Sequence, residues 1–176
     1  MRKEDNNNNV LRYTSTDGKP VLPTLQGENK IVSNTYNNDV GKMVFEKPLT
    51  EIPPNFMRGS WMLETIIIPS SVKFISNSCF EGCKNLKKIK ISEGVLSIGE
   101  RAFSSTALEK VLIPSSVLLV SYEAFANCKE LVTARFLPSH SGRYIGDYCF
   151  RNSKTSNIKL EKNDIFPCTA FQERDI

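Results

Sequence analysis

Histidine is nearly absent from this sequence, which contains one such residue in 176 positions. Mechanisms that use histidine as a general base, and metal sites built from several imidazoles, are therefore disfavoured. The single copy, His140, stands between Ser139 and Ser141. Adjacency in sequence does not create a catalytic geometry, so we expect His140 to be an ordinary polar residue of a turn.

Two further absences narrow the class of protein. No run of about 18 uncharged apolar residues occurs, so no segment is predicted to span a membrane. The motifs GxGxxG, GxxxxGK(S/T), GxSxG and HExxH are also missing. These motifs mark dinucleotide, nucleotide, hydrolase and zinc-protease sites. We therefore expect a chain with no enzymatic activity, no cofactor and no catalytic or metal-binding residues.

The cysteines do not form a recognisable disulfide or metal framework. There are five of them, at positions 79, 83, 128, 149 and 168. An odd number at uneven spacing is a poor disulfide framework. Cys79 and Cys83 form a CxxxC pair with no second pair of ligands, which is a weak zinc signal. We expect buried, reduced thiols with a structural role.

The charge and composition describe a folded, mildly basic chain. Hydrophobic residues make up 40% of the sequence and the net charge is +4, which disfavours disorder. Nucleic-acid-binding proteins usually concentrate more positive charge on one face. Residues 1–9 are charged and polar without a following apolar stretch, so no export signal is visible. A cytoplasmic protein and an exported chain without its leader both stay open.

An internal repeat dominates the sequence. Phenylalanines recur at intervals of 21 to 25 residues, at positions 56, 80, 103, 125, 150 and 171. Five residues before each of them, or four at the first, stands an aliphatic residue or phenylalanine, at positions 52, 75, 98, 120, 145 and 166. A unit of this length cannot close a core alone, so successive copies must stack and bury one another. The pattern predicts a solenoid.

Each repeat can be divided into elements. Strand-like segments such as Leu63–Ile68 alternate near their end, so Ile66 and Ile68 are expected to point inward while Thr65 and Ile67 point outward. Short β-branched segments such as Val72–Ile75 predict a second strand on another side. The residues before each phenylalanine predict a single helical turn. We expect a mostly β fold, with a parallel sheet on one side and about six coils of about 23 residues over 42–176.

The first 41 residues lack the repeat and are expected to cap the solenoid. The segment 10–16, Asp17-Gly18 and the segment 19–22 are typical of a β-hairpin with a primed turn. A solenoid needs its first coil covered. We therefore divide the chain into an N-terminal β-hairpin cap, 1–41, and a repeat domain, 42–176.

The repeats resemble those of a known family. The units Leu63–Asn85, Leu86–Ala107, Leu108–Glu130 and Leu131–Ser153 are similar to BspA-type leucine-rich repeats, with the pattern LxxIxIPxSVxxIGxxAFxxC. The N-terminal segment resembles the one that precedes such repeats in large bacterial surface proteins. The resemblance implies a non-enzymatic module for adhesion and protein binding, at the cell surface or secreted. Thr106 and Ser153 stand where the family often has cysteine.

The outward face of the main sheet is the candidate contact surface. Two outward columns are expected, one of them starting at Val44 and the other at Lys42. The partner-binding candidates in these columns are Ile67, Lys88, Lys90, Lys110, Leu112 and Arg135. Apolar side chains with a basic rim suit a protein partner, although lysines on an outer strand face are also ordinary solvated residues.

Three interpretations of this face stay open. The leading hypothesis is a monomeric module that binds a protein of unknown identity. The alternative is binding of a polyanion, either a sulfated glycan or a nucleic acid, through the basic residues. The outward columns contain no aromatic residue for base stacking, which disfavours a nucleic acid. The third interpretation is a structural spacer, a fragment of a larger surface protein.

Overall fold

Short strands and turns make up nearly the whole chain in the computed structural model, which describes residues 8–24 and 27–171. The strands in chain order are β1 (Val10–Ser15), β2 (Ile31–Asn37), β3 (Val40–Phe45), β4 (Glu51–Ile52), β5 (Leu63–Ile68), β6 (Phe74–Ile75), β7 (Lys88–Ile91), β8 (Ser97–Ile98), β9 (Lys110–Ile113), β10 (Leu119–Val120), β11 (Thr133–Phe136), β12 (Tyr144–Ile145) and β13 (Asn157–Lys159). A 3₁₀ helix follows at Cys168–Phe171.

The repeats form a β-solenoid, as the sequence predicts, but it has about five turns and not about six. One side carries the parallel pairs β5–β7 and β9–β11–β13. The other side carries a narrow five-stranded parallel sheet, in the order β12–β10–β8–β6–β4. Each coil therefore contributes one longer and one shorter strand. The last unit keeps its longer strand, β13, but its shorter strand is reduced to a single bridge between Tyr144 and Ile165, and the 3₁₀ helix follows.

A continuous stack of phenylalanine rings fills the interior. Neighbouring rings of Phe80, Phe103, Phe125, Phe150 and Phe171 are nearly parallel, with centroids 5.3, 5.3, 5.6 and 5.7 Å apart. The first three rings are fully buried. Around them the aliphatic columns pack, with Ile66 and Ile68 inward and Ile67 outward as expected. The predicted internal spine is confirmed.

The first member of the spine differs from the sequence expectation. Met57, and not Phe56, occupies the position equivalent to Phe80. The Met57 N–H donates to the Cys79 carbonyl, just as the Phe80 N–H donates to the Ala102 carbonyl. Phe56 instead lies one position earlier and packs against Phe45, with ring centroids 6.1 Å apart. The backbone register decides equivalence, and the apparent four-residue spacing in the first unit becomes five like the others.

The predicted single helical turns are mostly replaced by chains of tight turns. In the fourth unit the Ala124 and Ala126 N–H groups donate to carbonyls three residues earlier, and the Cys128 N–H donates to Ser153 Oγ of the next coil at 2.9 Å. Two residues of each such corner have left-handed backbone, for example Glu123 with φ 53° and Asn127 with φ 58°. An α-helix cannot pass through such residues, because its backbone requires negative φ throughout. Among the residues that the structure describes, only those of the last unit form a 3₁₀ helix at this corner.

The N-terminal region, which was expected to be a cap, contains a β-hairpin, but this hairpin is built from other residues than expected. The hairpin joins β2 to β3 through Asn38 and Asp39, both with positive φ. Residues 19–22 form no strand, so the expected hairpin at Asp17-Gly18 was wrong. Instead β1 lies antiparallel between β3 and β5, which gives the order β2–β3–β1–β5–β7. The long strand of the first repeat is therefore paired on both sides.

Tyr13 anchors this cap to the rest of the chain. Its ring is buried against Gly41, where an added Cβ would lie 2.2 Å from the ring. Its hydroxyl donates to Asn34 Oδ1 at 2.5 Å and accepts from the Val21 N–H at 3.1 Å. Burial raises the pKa of this hydroxyl. Gly41 is required for packing, since no other residue leaves room for the ring.

Two other glycines allow neighbouring coils to approach. A Cβ on Gly99 would lie 2.7 Å from the Asn77 backbone nitrogen, and one on Gly146 would lie 2.8 Å from the Tyr122 nitrogen. Neither glycine has positive φ. Their role is therefore close contact between coils.

The fifth coil departs from the others through a buried ion pair. Arg143 donates to the carbonyls of Pro114, Val117 and Leu137 at 2.9 to 3.1 Å. Its Nη1 lies 3.6 Å from Asp164 Oδ2, and both side chains are almost fully buried. Desolvation lowers the pKa of Arg143. The insertion that lengthens this unit is thus held by one arginine that bridges three segments.

Candidate functional site

All six partner-binding candidates lie exposed on the outward face of the longer strands. Ile67 is 42% and Leu112 48% exposed, which is high for aliphatic residues of a sheet. The basic members are exposed as well, namely Lys88, Lys90, Lys110 and Arg135. The alternation of the strands causes this, because Ile67, Lys90, Leu112 and Arg135 each stand between two inward-facing residues, while Lys88 and Lys110 begin their strands. We call this surface the sheet face.

The strand register brings apolar and basic candidates side by side. Ile67 pairs with Lys90 across β5 and β7, and Leu112 pairs with Arg135 across β9 and β11. The ladder is interrupted between β7 and β9, which belong to different sheets although they contact each other. The sheet face therefore consists of two patches, each with one exposed aliphatic residue beside one cation.

The N-terminal border of the sheet face differs from the expected columns. Because β1 separates β3 from β5, Arg12 pairs with Ile67, and Thr14 pairs with Thr65. Val44 and Lys42 were expected in these places and lie one strand further away, on β3. This arrangement could not be predicted, because the repeat pattern does not extend to β1.

Acidic residues border the basic candidates. A groove of about 570 Å³ beside Lys88 is lined by the carboxylates Asp39, Glu64 and Glu109, among other residues. Thr14 donates to Glu64 Oε2 at 3.5 Å at its edge. The sheet face thus has charges of both signs at its border. The two outward columns by themselves contain only basic charged residues.

A second exposed surface, on the narrow sheet, was not among the predicted contact surfaces. The outward residues of the narrow sheet and its rim are largely apolar and exposed, namely Phe74, Leu96, Leu118, Leu119, Tyr144 and Ile165. They stand in the variable positions between the buried valine and isoleucine columns. Their recurrence in that gap of the repeat is the signal that could have identified them.

On the turn side, a buried carboxylate is held between two arginines of neighbouring coils. The buried Glu123 carboxylate pairs with Arg101 Nε at 2.6 Å and with Arg151 Nη2. The hydrogen bond to Glu123 raises the pKa of Arg101. The guanidinium groups lie over the rings of Tyr122 and Tyr148, at 5.6 and 5.9 Å. The cluster links three successive coils.

The thiols lie mostly inside the fold, as expected, with one exception. Cys79, Cys83, Cys128 and Cys149 are buried and free, whereas Cys168 is exposed. Burial raises the pKa of the Cys83 thiol to about 12. It also raises the pKa of the Cys128 thiol. Thr106 occupies the same column, with its Oγ1 3.3 Å from Cys128 Sγ. These thiols act as small core residues.

The part of the chain that the structure describes contains neither a metal-ion site nor a membrane-spanning helix. Within residues 8–24 and 27–171, no group of three or more His, Cys, Asp or Glu side chains could hold a metal ion. In the same part of the chain, no helix is both long and apolar enough to cross a membrane. His140 is exposed, in keeping with a loop residue.

Two solved structures are similar to this chain, and the first of them supports the fold. The crystal structure of the pneumococcal vaccine antigen PcpA is similar, with a TM-score of 0.54, 19% identity, and coverage of 76% of this chain and 40% of that protein. A leucine-rich repeat protein from Bacteroides ovatus has a TM-score of 0.39 and 16% identity, with coverage of 82% and 58%. The chain thus spans 40% and 58% of these proteins. No curated protein matches the sequence.

The sequence also matches a repeat family directly. The BspA type leucine-rich repeat region is found in six copies, over residues 29–132 and 50–175. The matched residues include the whole described solenoid and part of the cap. The family assignment agrees with the phenylalanine spine and with the two parallel strand ladders. The chain belongs to the BspA-type leucine-rich-repeat family.

Proposed function

We propose that the chain is a non-enzymatic module that binds a protein partner through the sheet face, as a monomer on a cell surface or secreted. The repeat family and the fold support a surface repeat module of adhesion type. One observation supports the proposal that the sheet face is the binding surface. Ile67 and Leu112 are exposed aliphatic residues, and each pairs in register with a cation, Lys90 or Arg135.

Aliphatic and charged side chains contribute differently to binding at such a surface. Exposed aliphatic side chains gain about 25 cal/mol for each Å² that a partner covers. Charged groups around them contribute mainly association rate and specificity. Arg135 also pairs in register with Lys159, so two like charges stand side by side on neighbouring strands. An acidic side chain of a partner would relieve that repulsion.

The carboxylates favour a protein over a polyanion. Glu64, Glu109 and Asp39 line the groove beside Lys88. A sulfated glycan or nucleic acid carries one sign of charge and would be repelled there, whereas a protein surface can present both signs. We also propose that residues 1–41 serve as a cap and not as part of the binding surface.

The test is charge reversal on the sheet face. Lys90→Glu combined with Arg135→Glu should abolish binding to a panel of immobilised extracellular-matrix proteins, measured by surface plasmon resonance. Lys129→Glu combined with Lys154→Glu is the matched control, because it changes the charge equally at exposed positions outside the strands. Both variants should keep the melting temperature of the parent. Unchanged binding of the sheet-face variant would exclude this surface.

Binding to immobilised heparin, measured as a function of salt, distinguishes the polyanion alternative from binding of a protein. Binding to a polyanion weakens steeply and log-linearly with salt, because bound counterions are released. An interface with an apolar centre weakens much less. If heparin alone is bound, and its binding falls with salt in this manner, the protein-binding proposal fails in favour of the polyanion.

A further inference from the structure

A shallow groove on the turn side of the first two coils has features of a ligand site. It encloses about 550 Å³, within the usual range of small-molecule sites. Three pairs of equivalent positions on the two coils line it, which are Arg58 and Glu81, Gly59 and Gly82, and Trp61 and Lys84. The Gly59 N–H donates to the backbone carbonyl of Glu81, and the Gly82 N–H donates to that of Ser104. These two bonds show that the paired positions are equivalent. We call it the Trp61 groove.

The floor of the Trp61 groove is open because of its glycines. Gly59 and Gly82 have φ of 70° and 73°. At the same position the later coils have Ser105, Asn127 and Asn152, with φ of 55° to 59°. The backbone of this corner therefore accepts a side chain. The two glycines make room above the backbone, since an added Cβ on Gly59 would meet no atom within 4 Å.

One wall of the groove is the only tryptophan of the sequence. Trp61 is 64% exposed, although tryptophan is on average one of the more buried residue types. Asn85 Nδ2 donates to the Trp61 carbonyl at 2.7 Å and holds its backbone to the next coil. The indole thus offers a flat apolar face to solvent on a fixed main chain.

The remaining lining is polar and positively charged. Arg58 Nε lies 3.1 Å from Glu81 Oε2, and Lys84 is exposed beside them. Two cations and one carboxylate leave one excess positive charge in the groove. The planar guanidinium is suited to a carboxylate, which it can bind through two parallel hydrogen bonds.

We propose that the Trp61 groove binds a saccharide that carries a carboxylate, such as a hexuronate, with the sugar ring against Trp61 and the carboxylate near Arg58 and Lys84. A pyranose ring has one apolar C–H face and a polar rim, which match one flat indole among charged side chains. A peptide side chain would need an apolar pocket, whereas the other lining residues are charged, glycine or Ser105. This site is separate from the sheet face.

The single tryptophan allows a direct test on the intact chain. Titration with trigalacturonate should shift Trp61 emission to the blue and saturate, because the sugar shields the indole from water. A neutral trisaccharide, cellotriose, should bind at least tenfold more weakly. No spectral change and no heat by isothermal calorimetry with trigalacturonate would overturn the proposal. Equal affinity for both sugars would overturn the assignment of an acidic ligand.

Substitutions locate the ligand in the Trp61 groove. Gly82→Asn installs the residue that later coils carry at this position, so the fold should persist while the side chain fills the groove and binding is lost. The reverse change in a distant coil, Asn127→Gly, is the matched control and should leave binding unchanged. Arg58→Gln should remove the preference for trigalacturonate over cellotriose. Binding that survives Gly82→Asn in a folded protein would overturn the site.

Discussion

Phe103 provides the most direct test of the internal spine. Its ring is fully buried and is stacked on both sides, with centroids 5.3 Å from those of Phe80 and Phe125. Phe103→Ala should lower the free energy of unfolding by about 3–5 kcal/mol, the usual cost of removing a buried phenylalanine. The two lost ring contacts account for about 0.5–1.5 kcal/mol each.

The end of the same spine offers a matched control. Phe171 is 37% exposed and stacks on one ring of the spine, that of Phe150 at 5.7 Å. Phe171→Ala should therefore cost about 1–2 kcal/mol, because less apolar surface is lost and fewer coils are joined there. Urea denaturation followed by circular dichroism measures both variants, with midpoints converted through the m-value.

A third variant separates cavity formation from ring stacking. Phe103→Leu keeps most of the apolar volume but has no aromatic ring, so it should recover more than half of the stability lost in Phe103→Ala. If Phe103→Ala costs no more than Phe171→Ala, the stacked rings do not hold the coils together. The interpretation of the columns as one shared core would then be wrong.

Further predictions concern the buried ion pair, the coil contacts and the thiols. Asp164→Asn should cost about 3–5 kcal/mol in urea denaturation, because it leaves the Arg143 charge buried without its carboxylate. Gly99→Ala should lower the melting temperature more than Gly59→Ala, since only the former places Cβ against a neighbouring backbone. Burial raises the pKa of Cys83 from 9.0 to about 12, so the unfolded chain loses this proton first. Stability should fall by about 1.4 kcal/mol per pH unit for that thiol as the pH rises through this range, and Cys83→Ala should reduce the slope.

The buried columns were predictable because every coil repeats the same packing problem. Ile75, Ile98 and Phe103 recur at fixed distances, and all of them are buried. The outward position of Ile67 followed from the two-residue period of a strand. A single segment could be assigned wrongly, but six copies of one pattern support one another. The solenoid and its sheet face could therefore be inferred from the sequence.

The cap could not be predicted in the same way, because its pairing is set by tertiary contacts. Asp17 does form the expected local turn, in which its side chain accepts from the Lys19 N–H at 3.1 Å. The strand after that turn does not form, since both edges of β1 are already paired with β3 and β5. Turn chemistry reports a change of chain direction, and it does not report the partner of the strand that precedes it.

The same distinction explains where function is to be sought in this repeat protein. A residue that recurs in every coil is explained by stacking, as the phenylalanine spine shows. Residues that break the pattern outside the core, such as Trp61, Gly82 and Leu112, contribute little to the core. Two such deviations occur on different sides of the solenoid, one on the sheet face and one in the Trp61 groove. If both bind as proposed, the chain can hold a protein and a saccharide at once, and saturating trigalacturonate should leave binding at the sheet face unchanged.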